Sequence, residues 1–499
     1  MSLSARPLNL SCNSMEYFIA LLIVLQAFVL AAQRSSYLLD YVFFVVALNR
    51  GIRRLVDYYI NGAFNPLSSI SLTPLVVSAV LLAPAMSRFG QLTPNSRNVA
   101  TLIMVALGHG FVIGFVNAGV GAFYSLGEWM AGFGAFLYAA TAPINSSTAD
   151  RWMRSCGYAA LIVAVYGWYQ YYTIPEWDAF WVTAVKFVGY LGQLKPTEMS
   201  VFSTLHERGP CASFLAWAAI PMILNPRWRI IGGWLTVVLL LSVVVLTLTR
   251  SMFIIVGLVA MLQPALSKGK GVGRMIVLAA VFGIGSSVGL QYMPGAERIT
   301  KRYDTMKDMQ NDGSFKGRMS ILSTGVPWVL QHPLGMGLGS SGFGAGRIGD
   351  SSTSSGSSPK EGFCDSGYVE VFSQFGWIGG LAFFAAMAQL WGEQTRRIRL
   401  GSNNAFLTTG RAVLLGCLVF LAVGNVFGSF SLFWVFLGIS LNRITLPDPT
   451  VQYWMPEHYG TEFPEVMQPL QMAEHATVSA PAPAAGQDFH SSNPHFRII

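Results

Sequence analysis

Apolar runs recur along almost the whole of this 499-residue chain, most of them near the length that crosses a bilayer, with the second and the last two short. They fall at about 15–33, 37–50, 67–86, 98–118, 121–144, 154–174, 210–224, 229–248, 251–267, 274–293, 367–391, 411–427 and 429–442. A helix needs about 20 apolar residues to span the hydrocarbon core. Lipid offers no partner to an open backbone, so a chain of this kind folds as a helical bundle. The expectation is an all-α polytopic membrane protein with about 12–13 transmembrane helices. Composition agrees: 53% of residues are hydrophobic and 11% are charged, the latter roughly half of what a soluble domain carries.

The net charge is +8. In a soluble protein that excess would raise the question of nucleic acid. Here much of it lies in short loops, at Lys268, Lys270 and Arg274, and at Arg396, Arg397 and Arg399. Basic loops remain cytoplasmic. One span separates each of these two loops from the long polar insertion 294–366, which is therefore on the far side, the periplasm in a Gram-negative cell. Counting backwards, the turn holding Arg250 and the loop 175–209 are on the far side as well. The same count puts "NRGIRRLVDYY" (49–59) there, against its charge, so the side of this segment is left open.

Five cysteines, Cys12, Cys156, Cys211, Cys364 and Cys417, follow no metal-ligand or disulfide spacing. The first apolar run lacks a preceding basic cluster and reads as a retained span. The chain then divides into an N-terminal bundle (1–293) with the loop 175–209, a large far-side loop (294–366) with an amphipathic helix, C-terminal helices (367–443) and a disordered, Pro/Ala-rich cytoplasmic tail (444–499).

"GLGSSG" (337–342) fits the dinucleotide pattern G-x-G-x-x-G, but no strand precedes it and no βαβ unit surrounds it. The glycines read instead as a tight turn that approaches another helix or a ligand closely. Arg250 sits between two apolar runs, where arginine is expensive and is usually paired or functional; snorkelling to the interface is the alternative. Arg318 opens a helix with Met319, Leu322, Val326 and Val329 at helical spacing, fit to lie on the membrane and kinked by Pro327. Arg208 is a third far-side arginine, and arginine suits bidentate phosphate binding. His206 and Glu207 beside it are either proton-transfer groups or polar loop residues. Asp365 and Ser366 stand where the next span begins, as candidate functional groups or as helix caps. Glu370 falls one turn further in. His109, inside a span, reads as a packed histidine.

"R-M-S-I-L…W…Q-H-P-L-G-M-G-L-G-S-S-G-F" from Arg318, then "D-S-G-Y-V-E-V-F-S-Q-F-G-W-I-G-G-L" from Asp365, resembles the signature of the O-antigen ligase/polymerase family. "T-L-T-R-S-M-F" around Arg250 resembles that family's upstream element. The resemblance covers roughly the second half of the chain. It implies a GT-C-like helical glycosyltransferase of the bacterial inner membrane, taking glycan from undecaprenyl diphosphate at the periplasmic face with neither metal nor cofactor. It also implies that Arg250 and Arg318 bind the diphosphate; Arg208 is a further candidate contact by its residue type and its far-side place. Ligases of the family have a His before Asn where this chain has Asp365-Ser366. That departure favours an exopolysaccharide or O-antigen polymerase, with Asp365 as base and Glu207 and His206 in reserve. A ligase, or a non-enzymatic lipid-linked oligosaccharide transporter, is the alternative. The implied partners are the lipid-linked oligosaccharide, the bilayer and, as an open question, a chain-length regulator; nucleic acid is not among them.

Overall fold

The computed structural model describes residues 10–65, 68–185, 191–266, 297, 313–340, 366–402, 404–422, 424, 427–428 and 432–446. Among these residues the structure is helical, with one isolated bridge between Gly192 and Met199 in place of any strand. The helices are α1 (Leu10–Ala32), α2 (Leu38–Val56), α3 (Thr73–Val80), α4 (Leu82–Met86), α5 (Pro94–Ala118), α6 (Val120–Thr141), α7 (Ser146–Thr173), α8 (Glu176–Ala184), α9 (Arg208–Leu224), α10 (Trp234–Leu246), α11 (Arg250–Leu266), α12 (Gly313–Gln331), α13 (Gly367–Arg399), α14 (Ala405–Phe420) and α15 (Leu432–Leu441). Four segments among the described residues are long and apolar enough to cross a membrane: Ser14–Ala32, Ser69–Met86, Pro94–Ala118 and Gly367–Arg399. The apolar helices α9, α10, α14 and α15 are shorter. The expected span 274–293 and the tail beyond residue 446 lie outside the described residues.

Polar and aromatic side chains tie the helix ends together in two sets. One set gathers the basic loops. Arg151 pairs with Asp40 at 3.1 Å, and Trp228 donates to Asp150 at 2.6 Å. Asn95 donates to Glu393 at 2.9 Å. The fully buried Arg397 pairs with Glu393 and donates to the Asn442 carbonyl, each at 2.8 Å. Asn442 in turn donates to the Ala139 carbonyl at 2.8 Å, joining the end of α15 to that of α6. Helix starts at this end carry side-chain caps: Thr93 accepts from Ser96 N, Asn145 from Thr148 N and Asn404 from Phe406 N.

The other set settles the side of "NRGIRRLVDYY". Arg54, at the end of α2, is fully buried and pairs with Asp178 of α8 at 3.2 Å. It also donates to the Ser203 carbonyl and lies over the rings of Trp181 and Phe202. Arg53 pairs with Asp57 at 3.3 Å. Asn65, just beyond, donates to Glu16 at 3.1 Å. These arginines therefore lie at the same end as the loop 175–209. Their charges are met by buried carboxylates, so they do not act as the solvated cations that hold a loop in the cytoplasm. Successive spans from α1 to α7, with α3 and α4 together forming one, then alternate in direction without a miscounted span. The segment 175–209, expected to be a loop on the interface, contains α8, and the second span runs to Val56.

Candidate active site

At the loop-bearing end, residues 199–207 are fixed before they reach the candidate charges. Gln170 of α7 accepts from the backbone N–H groups of Phe202 (3.0 Å) and Ser203 (2.8 Å) and donates to Asp178 (2.5 Å). Thr204 donates to the Ala47 carbonyl at 2.6 Å, and Val201 N donates to the Leu246 carbonyl at 3.1 Å. This last bond joins the segment to the end of α10, four residues before Arg250. Burial pushes the Asp178 carboxyl above its usual range, and Arg54 with the hydrogen bonds from Gln170 and Tyr166 opposes the shift.

His206, Glu207 and Arg208 follow at the start of α9, and Arg250 is the first residue of α11. Since α9 and α11 pack against each other, the structure brings these four residues to one corner of the bundle. Glu207 is buried and the other three are half-buried. An arginine at a helix N-terminus adds its charge to the positive end of the helix dipole. Two such ends side by side disfavour further cations and suit an anion. Ser203 (φ 51°) and Leu248 (φ 58°), just ahead of these arginines, hold left-handed backbone. Such strain persists only where the surroundings over-determine it, and the four bonds that fix Ser203 and its neighbours do so.

Arg318 lies in the second turn of α12, which packs on α13 and not among the helices around Arg250. Its Nε is enclosed, and among the described residues Arg318 makes no hydrogen bond or ion pair. The outward face of α12 is apolar, with Met319, Val326 and Leu330 about half exposed or more.

After α12, residues 333–339 make a strap of tight turns inserted between α5, α6 and a break in α13. The break is at Gly376 (φ 60°, ψ −169°). In an unbroken helix Trp377 N would donate to the Ser373 carbonyl. Here Trp377 N donates to the Pro333 carbonyl and Met336 N donates to the Ser373 carbonyl, each at 2.7 Å. Leu338 N donates to the Gly110 carbonyl at 2.8 Å, and Asn117 donates to the Met336 carbonyl at 3.0 Å. Gly337 (φ 85°) lies so close to α5 that a Cβ there would meet the backbone N of Gly114. The glycines thus serve close backbone approach, as their sequence suggests, and the surface they approach is helix.

Asp365 lies outside the described residues. Ser366 precedes α13 but does not cap it; its Oγ is buried and without a partner. Further in, Trp129 donates to Gln374 at 3.1 Å and Gln374 donates to the buried Glu370 at 2.9 Å. His109 is half-buried and its Nδ1 meets the Phe375 carbonyl at 2.7 Å. Sequence reasoning missed the Arg54–Asp178 pair, whose one signal was the misplaced charge of 49–59.

These features define a multi-pass helical membrane protein with a cationic corner at one end of the bundle. Residues 235–384 match the family model described as O-antigen ligase. That match supports the resemblance read from the motifs, and it takes in Arg250, Arg318, the strap and the broken helix. Members of this family are glycosyltransferase-like enzymes. No curated protein matches the chain.

Proposed function

We propose that this chain is a polysaccharide polymerase that transfers glycan from undecaprenyl diphosphate to the next lipid-linked repeat unit at the periplasmic face of the inner membrane. The observation that carries the reading is Arg318: a guanidinium with an enclosed Nε and no protein partner among the described residues. Leaving such a donor unsatisfied is costly, and a diphosphate oxygen would satisfy it. Arg250 and Arg208, at two neighbouring helix N-termini, supply further positive charge.

In the reaction, the acceptor hydroxyl oxygen attacks the anomeric carbon. The bond from that carbon to the diphosphate oxygen breaks, and its electron pair leaves with the diphosphate, where the arginines stabilise the charge. The hydroxyl proton passes to a carboxylate or imidazole, and Asp365 stands first for that role, ahead of Glu207 and His206. A transporter would place its charges near the bilayer midplane; the arginines named here are at helix ends.

A ligase is the second reading, favoured by the description of the matching family. Purified protein incubated with lipid-diphosphate-linked repeat units alone separates the two. A polymerase makes a ladder of products, whereas a ligase makes none until another acceptor is added. Arg318→Ala at equal protein amount should lower the rate roughly a hundredfold, as loss of one preorganised donor does. Arg318→Lys should recover only part, because it lacks the bidentate fork. A wild-type rate in Arg318→Ala removes the proposal.

A further inference from the structure

The break in α13 leaves backbone groups that the helix itself no longer serves, and their partners come from two distant parts of the chain. The strap supplies two, at Trp377 N and the Ser373 carbonyl. The Phe375 carbonyl, beside the break, meets His109 Nδ1. A carbonyl only accepts, so Nδ1 carries the proton and donates. The next residue of α5, Gly110, accepts from Leu338 N of the strap. Adjacent residues of one helix therefore hold both sides of the joint, His109 the broken helix and Gly110 the strap.

The joint also fixes α12. Trp377, first residue beyond the break, donates its indole N–H to the Val329 carbonyl in the last turn of α12 at 3.0 Å. His332 stacks on Trp328 with ring centroids 4.2 Å apart and its Nδ1 meets the Trp328 carbonyl at 2.8 Å. Where α12 ends is thus set by the joint, and Arg318 lies on the same helix, about 20 Å up its axis at 1.5 Å per residue.

We infer that His109 is a positioning residue: by holding α13 open at Gly376 it seats the strap and so aims α12 and Arg318 at the substrate diphosphate. This rests on the reading of Arg318 as a substrate contact. A histidine that merely fills space would not need its Nδ1 proton. The two cases part at His109→Asn, whose Nδ2–H stands where Nδ1–H does, and His109→Phe, which keeps a ring and loses the donor.

The test uses the full chain in detergent or nanodiscs, with lipid-diphosphate-linked repeat units as substrate. Two quantities are read: kcat and KM for transfer, and hydrogen exchange of the peptide covering residues 332–340. In His109→Phe we expect exchange of the strap to rise and kcat to fall, each about fivefold to tenfold, the weight of one net hydrogen bond. KM should change less, and His109→Asn should restore both. A wild-type kcat in His109→Phe, or equal losses in His109→Phe and His109→Asn, overturns the inference. If that happens while Arg318→Ala is inactive, the functional reading stands without it. If Arg318→Ala is fully active, the functional reading falls and the positioning role falls with it.

Discussion

Replacing Gly337 by Ala tests the strap most directly. At φ 85° an L-residue pays about 1–2 kcal/mol for left-handed backbone. The added Cβ also meets the backbone N of Gly114. That atom is part of the α5 ladder, so it cannot turn aside as a flexible side chain would. The strap must lift out of its groove. Lifting forfeits the bonds at Met336 N, Leu338 N and the Met336 carbonyl, each worth about 0.5–1.5 kcal/mol net. It also exposes Leu338, now fully buried, at about 1.5–3 kcal/mol. Leu338 belongs to the bundle core, but α5 and α13 also pack directly on each other, so the helices keep their places when the strap lifts. Gly337→Ala should therefore yield folded protein at near-normal abundance, with exchange of residues 332–340 at least about a hundredfold faster and transfer abolished. Gly108→Ala, on the same helix with open space around its Cβ, is the control and should be neutral. Wild-type exchange and wild-type transfer in Gly337→Ala would refute both the strap and its role.

Asp178→Asn leaves Arg54 buried without its counter-charge and should cost about 3–5 kcal/mol, read as a lower melting temperature of the purified protein. Adding Arg54→Met should recover part of the loss; if the single variant melts like wild type, the pair does not hold the loop. Asp365→Asn should abolish single-turnover transfer while leaving donor binding intact, and Glu207→Gln should not. The reverse pattern would move the base to the start of α9.

The helices were legible because a single physical demand, about 20 apolar residues per crossing, writes itself into local sequence. Arg250 and Arg318 were legible for a related reason: a charge beside an apolar run stands out against its surroundings. The strap was half legible. Alternate glycines announce close backbone approach, yet nothing local says that the approached surface is α5 and a break in α13. Gly376 lies in "FGWIGGL", and the break needs the Pro333 and Met336 backbone as substitute partners before it becomes affordable. The side of residues 49–59 was unreadable for another reason. Counting loop charges treats each arginine as solvated, and Arg53 and Arg54 are matched by Asp57 and by Asp178 of a distant loop. His109 was read as packed, which is true of its place and silent on its bond.

The matching segment 235–384 holds Arg250, Arg318, the strap and the break in α13, but it does not hold the other surface on which the strap rests. That surface is Gly110, Gly114 and Asn117 of α5 and Gly121 of α6. The His206–Arg208 corner and its fastening to α2 and α7 through Gln170, Thr204 and Arg54 also lie upstream. A fragment beginning at residue 235 would keep every motif residue and lose the α5–α6 wall of the groove, the α5 surface that α13 packs against and α9 beside α11. In the proposed reaction the motifs supply the contacts to substrate, and the helices upstream of residue 235 hold them still. Rate depends on both, since a guanidinium displaced by about 1 Å from the leaving group gives up much of its effect. Variation among the first seven helices then has a physical limit: α5 must keep a near-bare backbone at Gly110, where α13 presses, and at Gly114, where Leu338 of the strap does, or the joint has nowhere to sit.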